Sequence, residues 1–176
     1  MTTNHSRLVA LLSIIVAAAA LRLVPHPPNF TPIGAMALFS GAAFGRKALA
    51  FAAPLAALLL SDVVLGFYHG MATVYGADLM IVLVGSLIVT RSPIRIGIAA
   101  VASSVLFFTT TNLGMWFSSG FYPRTFAGLE ACFVAAIPFF QNTVAGDLFY
   151  SALLFGGFYV AERLLPQVRA GEPQLA

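Results

Sequence analysis

The stretch RTFAGLEACFVAAIPFFQNTVAGDLFYSALLFGGFYVAER, residues 124–163, decides how often this chain crosses a membrane. It holds a first apolar piece from Thr125 to Ile137, a break at Pro138, and a second apolar piece from about Asn142 to Ala161. The second piece matches a ~30 Å hydrocarbon core at ~1.5 Å of rise per residue. The pattern predicts a short surface helix over 125–137 and one true crossing over 142–161. Charge agrees with that division. Lys and Arg gather on the cytoplasmic side of membrane proteins, and Arg163 and Arg169 fall there only if 125–137 does not cross.

Working outward, five more apolar segments precede this one, at about 8–24, 32–44, 48–67, 75–90 and 94–116. The expected fold is therefore an all-α membrane protein, a single six-helix bundle over residues 1–176 with an extra surface helix before the last crossing. With the N-terminus in the cytoplasm, Arg7, Arg46, Lys47, Arg91, Arg95, Arg163 and Arg169 lie inside, leaving only Arg22 and Arg124 outside. Both termini are then cytoplasmic, and a bacterial inner membrane is the expected location. Arg7 followed by an apolar, alanine-rich run also fits a cleaved signal peptide, but removing that segment would break the charge pattern.

The composition excludes a soluble domain. Of 176 residues, 60% are hydrophobic and 9% charged, against roughly 45–50% and 25% in soluble proteins. Mean hydropathy is +0.93. One cysteine precludes an internal disulfide or a Cys-based metal cluster, and a net charge of +3 needs no nucleic-acid partner. No GxSxG elbow, HExxH helix or GxxxxGK[ST] loop is present, so nothing points to an enzyme, a cofactor or a resident metal. Small residues recur at four-residue spacing in Ser13 and Ala17, in Gly41 and Gly45, and in Ala48, Ala52 and Ala56. Such rows let helices pack closely or dock a membrane partner module.

Depth organises the polar residues. Asp62 lies 15 residues after Lys47, Asn112 lies 17 after Arg95, Asp147 lies 16 before Arg163, and Arg22 lies 15 after Arg7. At ~1.5 Å per residue these side chains stand roughly 20–26 Å from the inner edge. Asp78, 13 residues before Arg91, belongs to the same outer zone. The loops at that end carry His26, Asn29, His69, Tyr75 and Trp116. Ionisable groups at membrane depth need partners or a hydrated cavity. The expectation is an outward-facing pocket lined by His26, Asn29, Asp62, His69, Tyr75, Asn112, Trp116 and Asp147. Arg22 and Asp62 form a structural ion pair, and Asp147 can instead cap the start of the last helix. Cys132 reads as a buried small apolar side chain.

The run RLVPHPPNFTPIGAMALF, residues 22–39, resembles a family of uncharacterised small bacterial membrane proteins described as transport proteins. So do Leu60-Ser61-Asp62 with Leu65-Gly66-Phe67, Thr111-Asn112-Leu113-Gly114 with Trp116, and 136–143 through Gly146-Asp147. The layout is also similar to the substrate-binding S-components of energy-coupling-factor vitamin transporters, in particular the cobalamin-binding S-component-like proteins. That resemblance implies uptake of a small organic nutrient such as a vitamin, with His26, Asp62 and Tyr75 compatible with the pocket. Some of those proteins use a loop cysteine as a cobalt ligand, and here His69 stands in the corresponding loop. Two other functions fit the same residues: a proton- or ion-coupled small-solute transporter, and an assembly subunit of a membrane complex.

Overall fold

Prolines and glycines punctuate the chain at nearly every helix end. The computed structural model describes residues 5–88 and 92–169. Within them it forms α1 (His5–Leu21), α2 (Ile33–Phe44), α3 (Ala48–Leu65), α4 (Met71–Ser86), α5 (Pro93–Ser118) and α6 (Phe126–Leu164), with a closing 3₁₀ turn at Pro166–Val168. No strand occurs among the described residues. α1 stops three residues short of the expected Val24, because Pro25 disfavours helical backbone in the residue before it. Its end tightens into i→i−3 bonds, Arg22 N–H to Ala19, Leu23 to Ala20 and Val24 to Leu21. Gly66 and Gly70, at φ 94° and 88°, turn the chain between α3 and α4 in backbone that favours glycine. Pro93 opens α5 at its first turn, where a missing N–H costs nothing.

The decisive stretch differs from expectation. α6 is one continuous helix of 39 residues that runs through Pro138, so there is no separate surface helix over 125–137 and no new start at Asn142. Proline's fixed φ already suits a helix, and it removes only one ladder bond. In an apolar bundle, neighbouring groups and local adjustment accommodate that loss. Pro54 sits inside α3 in the same way. Thr125 starts α6 by accepting the Gly128 N–H at 3.2 Å. At ~1.5 Å per residue α6 is about 58 Å long, well beyond a ~30 Å core.

Three helices, α3, α5 and α6, are long and apolar enough to cross a membrane, while α1, α2 and α4 are shorter apolar helices. α2 is the hub. Ten of its twelve residues are buried, and it packs against α1, α3, α4, α5 and α6. Its core side chains include Met36, Leu38 and Phe39, with Phe39 edge-on to Phe155 and Phe158 of α6. Outside, α3 exposes Leu59, Leu60, Val63 and Val64, and α6 exposes Phe149, Leu153 and Val160. A surface as apolar as the core is what a lipid solvent requires. The end opposite the α1–α2 linker is closed by Arg7, which donates to Glu162 and, at 3.1 Å, to the Val168 carbonyl. Arg169 joins it through the Glu162 carbonyl at 2.8 Å.

The small-residue rows separate into two kinds. Gly41 and Gly85 press α2 and α4 together so closely that a Cβ on either would overlap the other helix's backbone. Ser13, Ala17, Ala48, Ala52 and Ala56 lie exposed on α1 and α3.

Candidate functional site

Two buried carboxylates organise the end of the bundle where α1 stops and α2 begins. Asp62, on the last turn of α3, is fully buried. Arg22, just past α1, donates to its Oδ1 and, at 2.6 Å, to the Ser61 hydroxyl. The Tyr75 hydroxyl donates to Asp62 Oδ2 at 2.9 Å. One carboxylate thus ties α1, α3 and α4 together with both oxygens occupied, the condition under which a buried ion pair holds its charges.

Asp147 belongs to α6 and faces the N-terminus of α2. The Ser104 hydroxyl of α5 donates to its Oδ2 at 2.6 Å, and the Ala35 backbone N–H also donates to the carboxylate. Pro32, which precedes α2, supplies no side-chain cap. A carboxylate from another helix fills that role, favoured by the positive end of the helix dipole. The approach is so close that a Cβ on Gly34 would collide with the Asp147 carboxylate. Asp147 therefore does not cap the start of its own helix, as one sequence reading had it, because α6 has already run five turns by that point.

Between these clusters lies a cavity of about 340 Å³. Its polar lining is Arg22, His26, Asn29, Thr31, Tyr68, Thr143 and Asp147, and its apolar lining is Ile33, Gly34, Leu65, Val74 and Phe107. The α1–α2 linker forms one wall. Asn29 holds it in a left-handed turn at φ 64°, a conformation asparagine tolerates better than most residues. The Asn142 amide donates to the Pro28 carbonyl at 2.9 Å, and Phe30 packs its ring on Phe149 and Tyr150. Gly146 lets the linker backbone at Phe30 and Thr31 lie against α6. Tyr68, in the α3–α4 turn, keeps its proton at neutral pH, since partial burial and then the Asp62 carboxylate push its hydroxyl above the ordinary value.

Of the residues singled out from sequence, His26, Asn29 and Asp147 line the cavity. Asp62 and Tyr75 stand behind Arg22, which does line it. Three others lie elsewhere. His69 is exposed in the α3–α4 turn. The Asn112 amide donates back to the Phe108 carbonyl of its own helix at 2.7 Å. The Trp116 indole donates to the Pro123 carbonyl at 3.0 Å, and Arg124 donates to the Phe117 carbonyl at 2.9 Å, so both close the α5–α6 turn. Depth does not fix rotation about a helix axis, and these residues share the depth without sharing the face. Thr143 was missed, although it precedes Asp147 by four residues and so lies on the same face.

Cys132 is buried between α6 and the Asn112 carbonyl, 3.5 Å from its sulfur. Among the described residues no group of three His, Cys, Asp or Glu side chains could hold a metal ion. A family model described as "Family of unknown function (DUF6580)" matches residues 2–168. No curated protein and no solved structure matches the chain.

Proposed function

We propose that this chain, which belongs to the DUF6580 family of unknown function, is an uptake protein of the bacterial inner membrane. It takes a small organic nutrient of vitamin class into the cavity from the outer side. The observation that carries this reading is the cavity itself, where polar groups from three separate parts of the chain, the α1–α2 linker, the α3–α4 turn and α6, meet among apolar side chains. Its volume lies at the small end of the ~300–1,000 Å³ found for ligand sites. That size favours a compact vitamin-like solute, and a corrinoid such as cobalamin would place only an edge or side group in it. Arg22 is already neutralised by Asp62, which leaves the Asp147 carboxylate as the unbalanced formal charge. The solute is therefore neutral or cationic, with hydroxyl or amine donors.

In this reading six helices cross the bilayer and both termini are cytoplasmic. Arg7, Arg163 and Arg169 gather at one end of the bundle, and Arg22 and Arg124 lie toward the other, which supports that orientation. Arg91, which the charge count also assigns to the inside, lies outside the described residues, as do Val89 and Thr90 at the end of the fourth expected segment. The exposed Ser13, Ala17, Ala48, Ala52 and Ala56 leave α1 and α3 free to receive a membrane partner module that drives release inward.

The test uses a single thiol at the cavity. In a Cys132→Ser background, Asn29→Cys on intact spheroplasts is expected to react with a membrane-impermeant maleimide. Thiamin, riboflavin, biotin, pyridoxine, cobinamide and cobalamin are then offered in turn, and one of them protects the thiol. Labelling only after lysis would reverse the orientation, and reaction unaffected by every solute would remove the cavity from uptake.

A further inference from the structure

One helical turn beneath the cavity lies a layer of polar groups that solute binding does not use. Val74, Phe107 and Asp147 line the cavity from α4, α5 and α6. Asp78 stands four residues deeper than Val74, Ser103 four deeper than Phe107, and Ser151 four deeper than Asp147. Residues four apart share a helix face, so these three continue the lining inward. Asp78 and Ser103 are 0% exposed and Ser151 is 2% exposed. Neither carboxylate oxygen of Asp78 has a hydrogen-bond partner among the described residues, and neither hydroxyl has one.

A carboxylate buried without a donor is far more costly ionised than neutral, and most buried acids resolve the conflict by keeping their proton. The charged groups that act on Asp78 are Arg22 at the end of α1 and Asp147 on α6, and the titratable Tyr68 hydroxyl of the α3–α4 turn is also within its field. α2, its main packing partner, carries no titratable side chain, and α5 offers only Arg95, in its first turn. On α3, Asp62 is occupied by Arg22 and Tyr75, and Lys47 sits at the opposite end of the helix. All three groups that reach Asp78 therefore belong to the cavity wall.

We propose that Asp78 is a proton-binding site beneath the cavity, occupied while the cavity holds no cation and discharged when a cationic solute binds there. The step balances in charge: the Asp78 O–H bond breaks, the proton passes to water in the cavity, and the carboxylate left behind offsets the incoming positive solute. The inference deepens the uptake reading and rests on it, because the cavity supplies both the solute and the exit for the proton.

The experiment needs no solute, so its result is read separately from the labelling test. The full chain is reconstituted in phosphatidylcholine liposomes, and the carbonyl stretch of protonated carboxyls is titrated by infrared difference spectroscopy. The wild type is expected to show a protonated-carboxyl band that Asp78→Asn removes. Asp78→Glu, which shifts the same band in frequency, assigns it if the Asn variant does not fold. Asp147→Asn removes a like charge and is expected to move the titration midpoint. Three results would overturn the proposal: absence of the band at every pH, a midpoint indifferent to Asp147→Asn, or a midpoint that follows sodium concentration when sodium replaces potassium.

Discussion

Asp62→Ala is expected to destabilise the protein by about 3–5 kcal/mol, the usual result of removing one partner from a buried ion pair. Asp62 is wholly enclosed, and the Arg22 side chain is only 9% exposed. With the carboxylate gone, the guanidinium keeps its charge with only neutral hydroxyl partners, those of Ser61 and Tyr68, and the Tyr75 hydroxyl loses its acceptor. The loss reaches beyond one pair, since this carboxylate joins three helices. The double variant Arg22→Met, Asp62→Leu is expected to recover most of the stability, because two apolar side chains leave no buried charge unpaired. Thermal unfolding in detergent, followed by circular dichroism, measures both. A single variant as stable as wild type would mean that the pair is hydrated and not structural.

Gly41→Ala and Gly85→Ala are expected to be as damaging, at about 3 kcal/mol or more each, the severe end of overpacking. The Gly41 Cβ would enter the Val82 carbonyl, and the Gly85 Cβ would enter the Leu38 carbonyl. Backbone atoms cannot turn aside as a side chain can. The two helices must move apart, and α2 is held on every side by the rest of the bundle. Gly76→Ala is the control: it lies on α4 with nothing within 4 Å of the new methyl, and is expected to gain about 0.5–1 kcal/mol from helix propensity. Folded yield and unfolding temperature of the three variants, taken together, separate crowding from a general intolerance of change in glycine.

Most helix boundaries were legible because the residues that end helices act locally. The proline run 25–32, Gly66, Gly70 and Pro93 each act through their own backbone geometry, and the structure turns where they stand. Pro138 misled for the complementary reason. Its local cost reads as a break, yet Phe133 and Phe140 on either side of it pack on Phe108 of α5, and that packing carries the helix through although Pro138 itself is exposed. The Arg22–Asp62 pair was readable because opposite charges at equal depth in an apolar medium have few other solutions. Asn112 and Trp116 were not, since their depth is right but their hydrogen bonds turn to their own helix and turn. The role of Asp147 as cap for α2 was hidden, since it requires knowing that α6 passes the α2 N-terminus. Gly34, where only hydrogen fits, was the one local sign of that contact.

Native mass spectrometry of the detergent-purified protein, offered the same vitamins, tests the central claim most directly. The cavity reading predicts a one-to-one adduct with a neutral or cationic solute, weakened at least tenfold, or about 1.4 kcal/mol, by His26→Ala or by the cavity-filling Thr143→Leu. A folded protein that forms no adduct with any of them, or an adduct that both variants leave unchanged, would contradict the account.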